Sequence, residues 1–298
     1  MSDFDPSIRN SAWWSGDSRK AAQGKANEAV MIKLGLLDPP DLSQVEAVQM
    51  GHVMEPVIGQ LASQKLGIGL SKIEHSITHP KHEWFRSHFD FVGEENGETV
   101  LVECKNYNAA VRNKFDPENG ICPAADRAQV IHEAAVFGVR KVYLAVLFGG
   151  QEFTLTPFQV SDTEKDELIQ QMAQFWAAVQ TRQPLPPESV EQAKAMFPVA
   201  SEASKTASKA VEEACLYLRG VKAQIKALEA QEEALQTTIQ GWLADSDTLL
   251  SVDGSVLATW KQSKGSKRFD AKLFQQSMPD IYEQYVRPTE GSRRFLIK

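Results

Sequence analysis

LVECKNYN, residues 101–108, is a short apolar run with a glutamate and a lysine two positions apart. On a strand, alternate side chains point to the same face. Glu103 and Lys105 therefore share one face, and Val102 and Cys104 share the other. The second pair suits a core. The first pair is ionisable, so its face either meets solvent or forms a site.

Just upstream, Asn96-Gly97 is the strongest short hairpin signal a sequence carries. A two-residue turn there pairs residue 95 with 98. Phe91 then faces Val102, Asp90 faces Glu103 and His88 faces Lys105. Asp90, Glu103, His88 and Lys105 are expected on one face, with Phe89, Phe91, Val102 and Cys104 on the other. Directly opposed Cβ atoms lie about 4.5–5.5 Å apart, where two carboxylates repel. A hard divalent cation such as Mg²⁺ prefers oxygen ligands and removes that penalty. Lys105 beside it would activate a water or stabilise developing negative charge. A solvated strand face with chance charges would give the same letters, and a longer loop would slip the pairing.

At 298 residues the chain has room for one large domain and a smaller one. No apolar stretch approaches the ~20 residues of a membrane helix, so no membrane association is expected. The start, MSDFDPSIRN, has no basic segment followed by an apolar run, so no secretory signal is expected. Cys104, Cys122 and Cys215 are odd in number and scattered, which suits a reducing cytoplasm rather than a disulfide framework. The net charge of −7 argues against broad, unspecific nucleic-acid binding. The charge is uneven: residues 254–298 hold nine Lys or Arg and four acids, a +5 segment on a body of −12. Such an end would meet an anion or simply be solvated.

Along the chain, residues 41–67 show helical spacing of Met50, Val53, Met54, Val57, Ile58 and Leu61, strained by Pro56. Residues 72–106 alternate like strands. ADRAQVIHEAAVFG is a helix ending at Gly138. KVYLAVLF and FTLTPFQV are strands around a GGQE turn, and a helix follows with Asp162 as its candidate cap. RQPLPPES marks a break. Beyond it, residues 202–244 carry a heptad whose seams are Val211, Leu218, Ile225, Glu232, Ile239 and Ala214, Val221, Leu228, Leu235, Trp242. That is the pattern of a coiled coil or helical hairpin, and equally of a helix packed on its own domain. The end is expected as a hairpin followed by one short helix, AKLFQQSMPDIYEQYV.

An Asp, a gap of about a dozen residues and Glu-x-Lys on a strand, preceded by a helix bearing Glu, resembles the PD-(D/E)XK nuclease superfamily. The closer resemblance is to the YqaJ-type and lambda-exonuclease-type nucleases of phage recombination. It rests on GHVMEPVIGQL (Glu55), WFRSHFDF (Asp90), VECK (Glu103, Lys105), AQVIHEAAVFGVRKVYLAVLFGGQEF (Gln129) and FWAAV, over roughly residues 10–180. The resemblance implies that Asp90, Glu103 and the Cys104 carbonyl bind Mg²⁺, with Mn²⁺ as a substitute, in a site for a pair of ions. It implies that Lys105 orients or deprotonates the attacking water, that Glu55 supports the second metal or its water shell, and that Gln129 lies near the cleaved strand. SGDSRKAA matches only loosely the region that holds a 5′ phosphate, which makes Ser18, Arg19 and Arg9 candidate phosphate contacts. Asp126 stands where a Tyr often precedes the Gln, Phe91 where Gly is common, and His88-Phe89 where Pro or Asn is usual.

The expected architecture is an α/β nuclease domain over residues 1–190, with a restriction-endonuclease-like core of mixed sheet flanked by helices. Residues 198–298 would form a helical coiled-coil arm with a small, basic α+β end. The implied activity is a Mg²⁺-dependent exonuclease, 5′ to 3′ on double-stranded DNA ends, making single strands for phage-type recombination. The implied partners are a single-strand annealing protein and further copies of the chain, since some members of the family are trimers. A structure-specific or nicking endonuclease on the same core is the alternative, and a non-catalytic DNA-binding scaffold is a third. His75, His79 and His82 would share a face only on a helix, which Pro80 disfavours, so no zinc site is expected there. Trp13 and Trp14 would stack bases or fill core, and core is the expectation.

Overall fold

The computed structural model describes residues 6–201, 203–287 and 291–298. The first five residues, part of the stretch on which the absence of a signal was read, lie outside the described residues, as do 202, at the start of the heptad stretch, and 288–290, in the basic end. The chain divides into two compact units, Met1–Phe197 and Pro198–Lys298.

In the first unit the helices are α1 (Pro6–Asn10), α2 (Ser15–Ala22), α3 (Ala26–Lys33), α4 (Glu46–Leu66), α5 (Ala124–Phe137), α6 (Asp162–Gln180) and α7 (Val190–Met196). The strands are β1 (Trp13–Trp14), β2 (Leu70–Lys72), β3 (Ile77–His79), β4 (His82–Ser87), β5 (Phe91–Glu95), β6 (Glu98–Tyr107), β7 (Lys141–Phe148) and β8 (Glu152–Gln159). The main sheet has the order β2-β5-β6-β7-β8. Only β6 and β7 are parallel; the other neighbours are antiparallel. A smaller sheet has the order β1-β4-β3.

The pleat of β6 sorts its side chains between two cores. Val100, Val102 and Cys104 pack with Ile58 and Ala62 of α4. Leu101 joins the cluster built with α5 and α6, which also takes Leu144, Val146 and Phe148 from β7. The mixed sheet is therefore flanked by helices on both faces. The β5–β6 hairpin has the register read from Asn96-Gly97, with Phe91 opposite Val102 and Glu95 opposite Glu98. Asn96 and Gly97 both have positive φ, 53° and 82°, as a type I′ turn requires.

The ladder stops at Phe91, which corrects the extension of the pairing to Asp90 and His88. Phe89 belongs to the α5 core and Phe91 to the α4 core, so Phe89 does not share a face with Phe91, Val102 and Cys104. His88 instead stacks on Trp14, with ring centroids 5.0 Å apart. Trp13 is fully buried, as a core residue should be.

Pro56 lies inside α4 without ending it. Both Pro56 and His52, whose carbonyl loses its partner to the ring, are exposed, so water can serve that carbonyl. The cap of α6 is Ser161 rather than Asp162. The Ser161 hydroxyl accepts from the Glu164 N–H at 3.2 Å, and the Glu164 carboxylate accepts from the Ser161 N–H at 2.8 Å, a reciprocal pair. The Pro-rich segment after α6 is fastened to α3. Asn27 accepts from the Leu185 N–H at 3.0 Å and donates to the Pro186 carbonyl and to Gln192 Oε1. That grip keeps α7 in the first unit.

The second unit contains α8 (Lys209–Leu243), a β9–β10 hairpin (Thr248–Leu250, Val256–Thr259), α9 (Ala271–Ser277) and α10 (Pro279–Tyr285). The single terminal helix expected from the sequence is two, because Pro279 opens α10 at its first turn and Met278 before it lies outside the helical region, at φ −139° and ψ 59°. On α8, Val211, Ile225, Leu228, Leu235, Ile239 and Trp242 are exposed within that unit. Among the described residues, no helix is long and apolar enough to cross a membrane.

Candidate active site

Strand β6 carries Glu103, Lys105 and Tyr107 on the face toward α5, at successive alternate positions. Glu103 is buried, at 4% exposure. Its Oε1 accepts from Lys105 Nζ at 2.5 Å and from Gln129 Nε2 at 2.6 Å. Gln129 comes from the middle of α5 and also donates to Glu133 Oε1 at 2.9 Å. Burial disfavours the Lys105 ammonium, but the Glu103 carboxylate outweighs it and the net shift of its pKa is upward. Burial, and then Glu103, push the Glu133 carboxyl well above the usual range.

Asp90 reaches the same place by leaving the ladder. Its Oδ2 accepts from the Cys104 N–H at 2.7 Å, taking the bond that a continued β5 would have made. The N–H and C=O of one strand residue point to the same edge, so the Cys104 carbonyl faces the edge that β5 vacates after Phe91. Burial raises the Asp90 carboxyl well above its ordinary value, and the nearby Glu103 and Glu55 charges add to it. Asp90 and Glu103 are thus two crowded carboxyls with an amine alongside, the arrangement in which a cation relieves desolvation and repulsion together.

Glu55, from α4, is close enough to affect Asp90, but its carboxylate is paired with Lys72 at 2.7 Å. Among the described residues, no group of three or more His, Cys, Asp or Glu side chains could hold one metal ion. Glu55 is therefore not gathered with Asp90 and Glu103 into a three-carboxylate set. What the site offers a hard cation is oxygen: the carboxylates of Asp90 and Glu103 and the Cys104 carbonyl. That donor chemistry fits Mg²⁺ or Mn²⁺. Among the described residues, His75, His79 and His82 form no such group either.

Of the three candidate phosphate contacts, Arg19 is joined to this centre by hydrogen bonds. It pairs with Asp126 at 2.6 Å, donates to the Tyr107 hydroxyl at 2.7 Å and reaches Gln129 Oε1 at 3.4 Å. Tyr107 in turn donates to Asp126 at 2.8 Å. The Asp at the position where a Tyr was expected thus anchors the arginine, and a Tyr is supplied from β6. Ser18 is fully buried and corrects the expectation of a phosphate contact. Its hydroxyl accepts from Trp13 Nε1 at 3.1 Å and bonds His132 Nδ1 at 2.8 Å. Arg9 lies on α1, and its carbonyl accepts from Lys33 Nζ and Trp14 Nε1, both at 3.0 Å.

Sequence reasoning passed over Tyr107 and Glu133. Both carried a signal: Tyr107 is two residues after Lys105 on a strand, and Glu133 is four after Gln129 on a helix, so each shares its neighbour's face.

A chain from Bacillus subtilis (strain 168), the uncharacterized protein YqaJ, is 26% identical over 269 residues, covering 87% of this chain and 82% of its own. The crystal structure of LHK-Exo in complex with dAMP superposes with a TM-score of 0.50 at 15% identity, over 59% of this chain and 91% of that one. A second structure, the alkaline exonuclease LHK-Exo from Laribacter hongkongensis, gives 0.48 at 16% identity over the same shares. At such identity the likeness is one of fold. Residues 15–140 match the YqaJ-like viral recombinase domain, and that span holds Arg19, Glu55, Asp90, Glu103, Lys105 and Gln129. Over residues 15–140 the chain is thus similar to the YqaJ-like viral recombinase domain.

Proposed function

We propose that this protein is a Mg²⁺-dependent exonuclease that degrades double-stranded DNA from its ends, 5′ to 3′, and leaves single strands for phage-type recombination. The observation that carries this is the meeting of Asp90, Glu103 and Lys105 at the point where β5 leaves β6. The recombinase-domain match supports the biological setting, and the fold shared with LHK-Exo supports the substrate class.

In this proposal Asp90, Glu103 and the Cys104 carbonyl would hold the first of a pair of ions, and Glu55, now paired with Lys72, would support the second. Bound there, Mg²⁺ supplies Lewis-acid polarisation of the phosphate and lowers the pKa of a coordinated water. The chain's own groups do the rest. Lys105, an ammonium held by Glu103, orients the attacking water and offsets charge growing on the phosphate oxygens. Gln129 fixes Glu103 from the α5 side. Arg19, pinned in a fork by Asp126 and Tyr107 and still 27% exposed, presents its remaining donors to a terminal phosphate. The exposed apolar seam of α8 is the surface we assign to contact with a single-strand annealing protein or with further copies of the chain.

The test is linear duplex labelled at one end, beside covalently closed circular DNA, with Mg²⁺ or with EDTA. An exonuclease releases 5′ label first from linear DNA, needs Mg²⁺ and leaves the closed circle intact. Cutting of the closed circle would instead establish an endonuclease. Arg19→Ala is expected to abolish the preference for a 5′-phosphorylated over a 5′-hydroxyl end.

A further inference from the structure

Glu133 is buried in the middle of α5, at 2% exposure, and none of the roles above uses it. Its surroundings show what it holds. Gln129 Nε2 has two hydrogens: one meets Glu103 Oε1 at 2.6 Å, the other Glu133 Oε1 at 2.9 Å. Gln129 Oε1 accepts from Arg19 Nη1 at 3.4 Å. The amide is gripped on three sides, and turning it over would set its oxygen against two carboxyl groups.

The consequence falls on Glu103. Its Oε1 already receives Lys105 Nζ at 2.5 Å as well as Gln129. Its Oε2 has no hydrogen bond among the described residues. One oxygen is committed to the protein and the other is left for a ligand. A buried acid is a costly way to hold one amide hydrogen when an apolar side chain would pack there without desolvation. Groups that contact a ligand's partner rather than the ion itself commonly set metal affinity in this way.

We propose that Glu133 is a positioning residue for the cation site: it anchors Gln129, and Gln129 turns Glu103 so that Oε2 faces the ion. This rests on Asp90 and Glu103 being cation ligands. The reach is two hydrogen bonds, Glu133 to Gln129 to Glu103, and the arginine on the far side of the amide closes the clamp.

The test is calorimetric titration of Mn²⁺ into the full-length protein, for wild type, Glu133→Gln, Glu133→Ala, Gln129→Ala and the Gln129→Ala, Glu133→Ala double variant, with circular dichroism on each. Glu133→Gln keeps an oxygen that accepts from Gln129 and is expected to bind Mn²⁺ within about twofold of wild type, whereas Glu133→Ala weakens binding about tenfold. Gln129→Ala gives the same loss, and the double variant adds little to it, because the two act as one unit. Unchanged Mn²⁺ affinity in a folded Glu133→Ala protein, or in Gln129→Ala should the first variant not fold, overturns the proposal. Equal losses in the Gln and Ala variants at position 133 overturn it too, since a hydrogen-bond acceptor would then not be what matters. Wild-type protein that takes up no Mn²⁺ overturns the cation reading itself, a failure distinct from that of Glu133 alone.

Discussion

His132 makes the stability of this protein depend on pH with a sign and size that follow from its contacts. The ring is fully buried on α5 and lies 3.8 Å, centroid to centroid, from Phe85. Its Nε2 faces the Arg86 carbonyl at 2.9 Å and its Nδ1 faces the Ser18 hydroxyl at 2.8 Å. A carbonyl only accepts, so Nε2 carries the hydrogen and Nδ1 accepts from Ser18. Burial pushes the imidazole down from 6.5 to about 3; the Arg86 carbonyl works against that shift, and His79 adds to it. The neutral form is thus favoured in the fold. Its contribution is fully present above the unfolded value and is lost as pH falls from there toward the folded one. Between about pH 7 and about pH 5 the unfolded chain gains this proton and the folded chain does not. At about 1.4 kcal/mol per unit the loss is about 2 kcal/mol, or about 4–8 °C in Tm for a unit of this size. Scanning calorimetry on wild type and His132→Gln at both pH values, at one ionic strength, isolates the effect. The difference between the two proteins matters, because Asp90 and Glu133, with raised pKa values, act with the opposite sign. His132→Gln should start less stable and lose about 4–8 °C less on acidification. Identical acid shifts in the two proteins would refute the argument.

Two further substitutions probe what holds the site in place. A Cβ on Gly59 would lie 2.4 Å from Phe91 Cε2, where α4 crosses the start of β5. Gly59→Ala should cost about 1–3 kcal/mol in urea denaturation, and an unmoved midpoint would show that the contact gives way freely. Asn27→Ala removes three hydrogen bonds to the segment around Leu185, Pro186 and Gln192. It should cost about 1–3 kcal/mol and speed proteolytic cutting within residues 182–189; cutting at the wild-type rate would mean that the strap is held by other contacts.

Much of this fold follows from short-range pattern. The Asn96-Gly97 turn set the β5–β6 register because both residues accept positive φ. The seven-residue pattern over 202–244 was legible as helix, broken only by Glu232, but it left a hairpin and a single helix equally open, and the structure has one helix over 209–243. The pattern failed where a side chain replaced a backbone partner. Asp90 leaves the ladder to bond the Cys104 N–H, so extrapolating the register one step past Phe91 misplaced His88 and Phe89. Helix ends failed for a related reason. Ser161 and Asp162 are both good caps by composition, and only Glu164 reaching back to the Ser161 N–H decides between them. At the site, Glu103 and Lys105 were readable from alternation alone. The fork of Asp126 and Tyr107 on Arg19 was not, since it joins β6, α2 and α5, elements far apart in the chain. Ser18 was misread because a hydroxyl near a helix start says nothing of Trp13 and His132 closing over it.

The amine at position 105 is the most direct point of attack on the account. Single-turnover digestion of end-labelled linear duplex in Mg²⁺ compares wild type with Lys105→Ala, while fluorescence anisotropy follows DNA binding in EDTA. In the proposed mechanism this ammonium orients water and offsets phosphate charge, so its loss should slow digestion about 10²–10³-fold and leave DNA affinity within about twofold. Digestion by Lys105→Ala at the wild-type rate, or wild-type digestion that persists in EDTA, would contradict it.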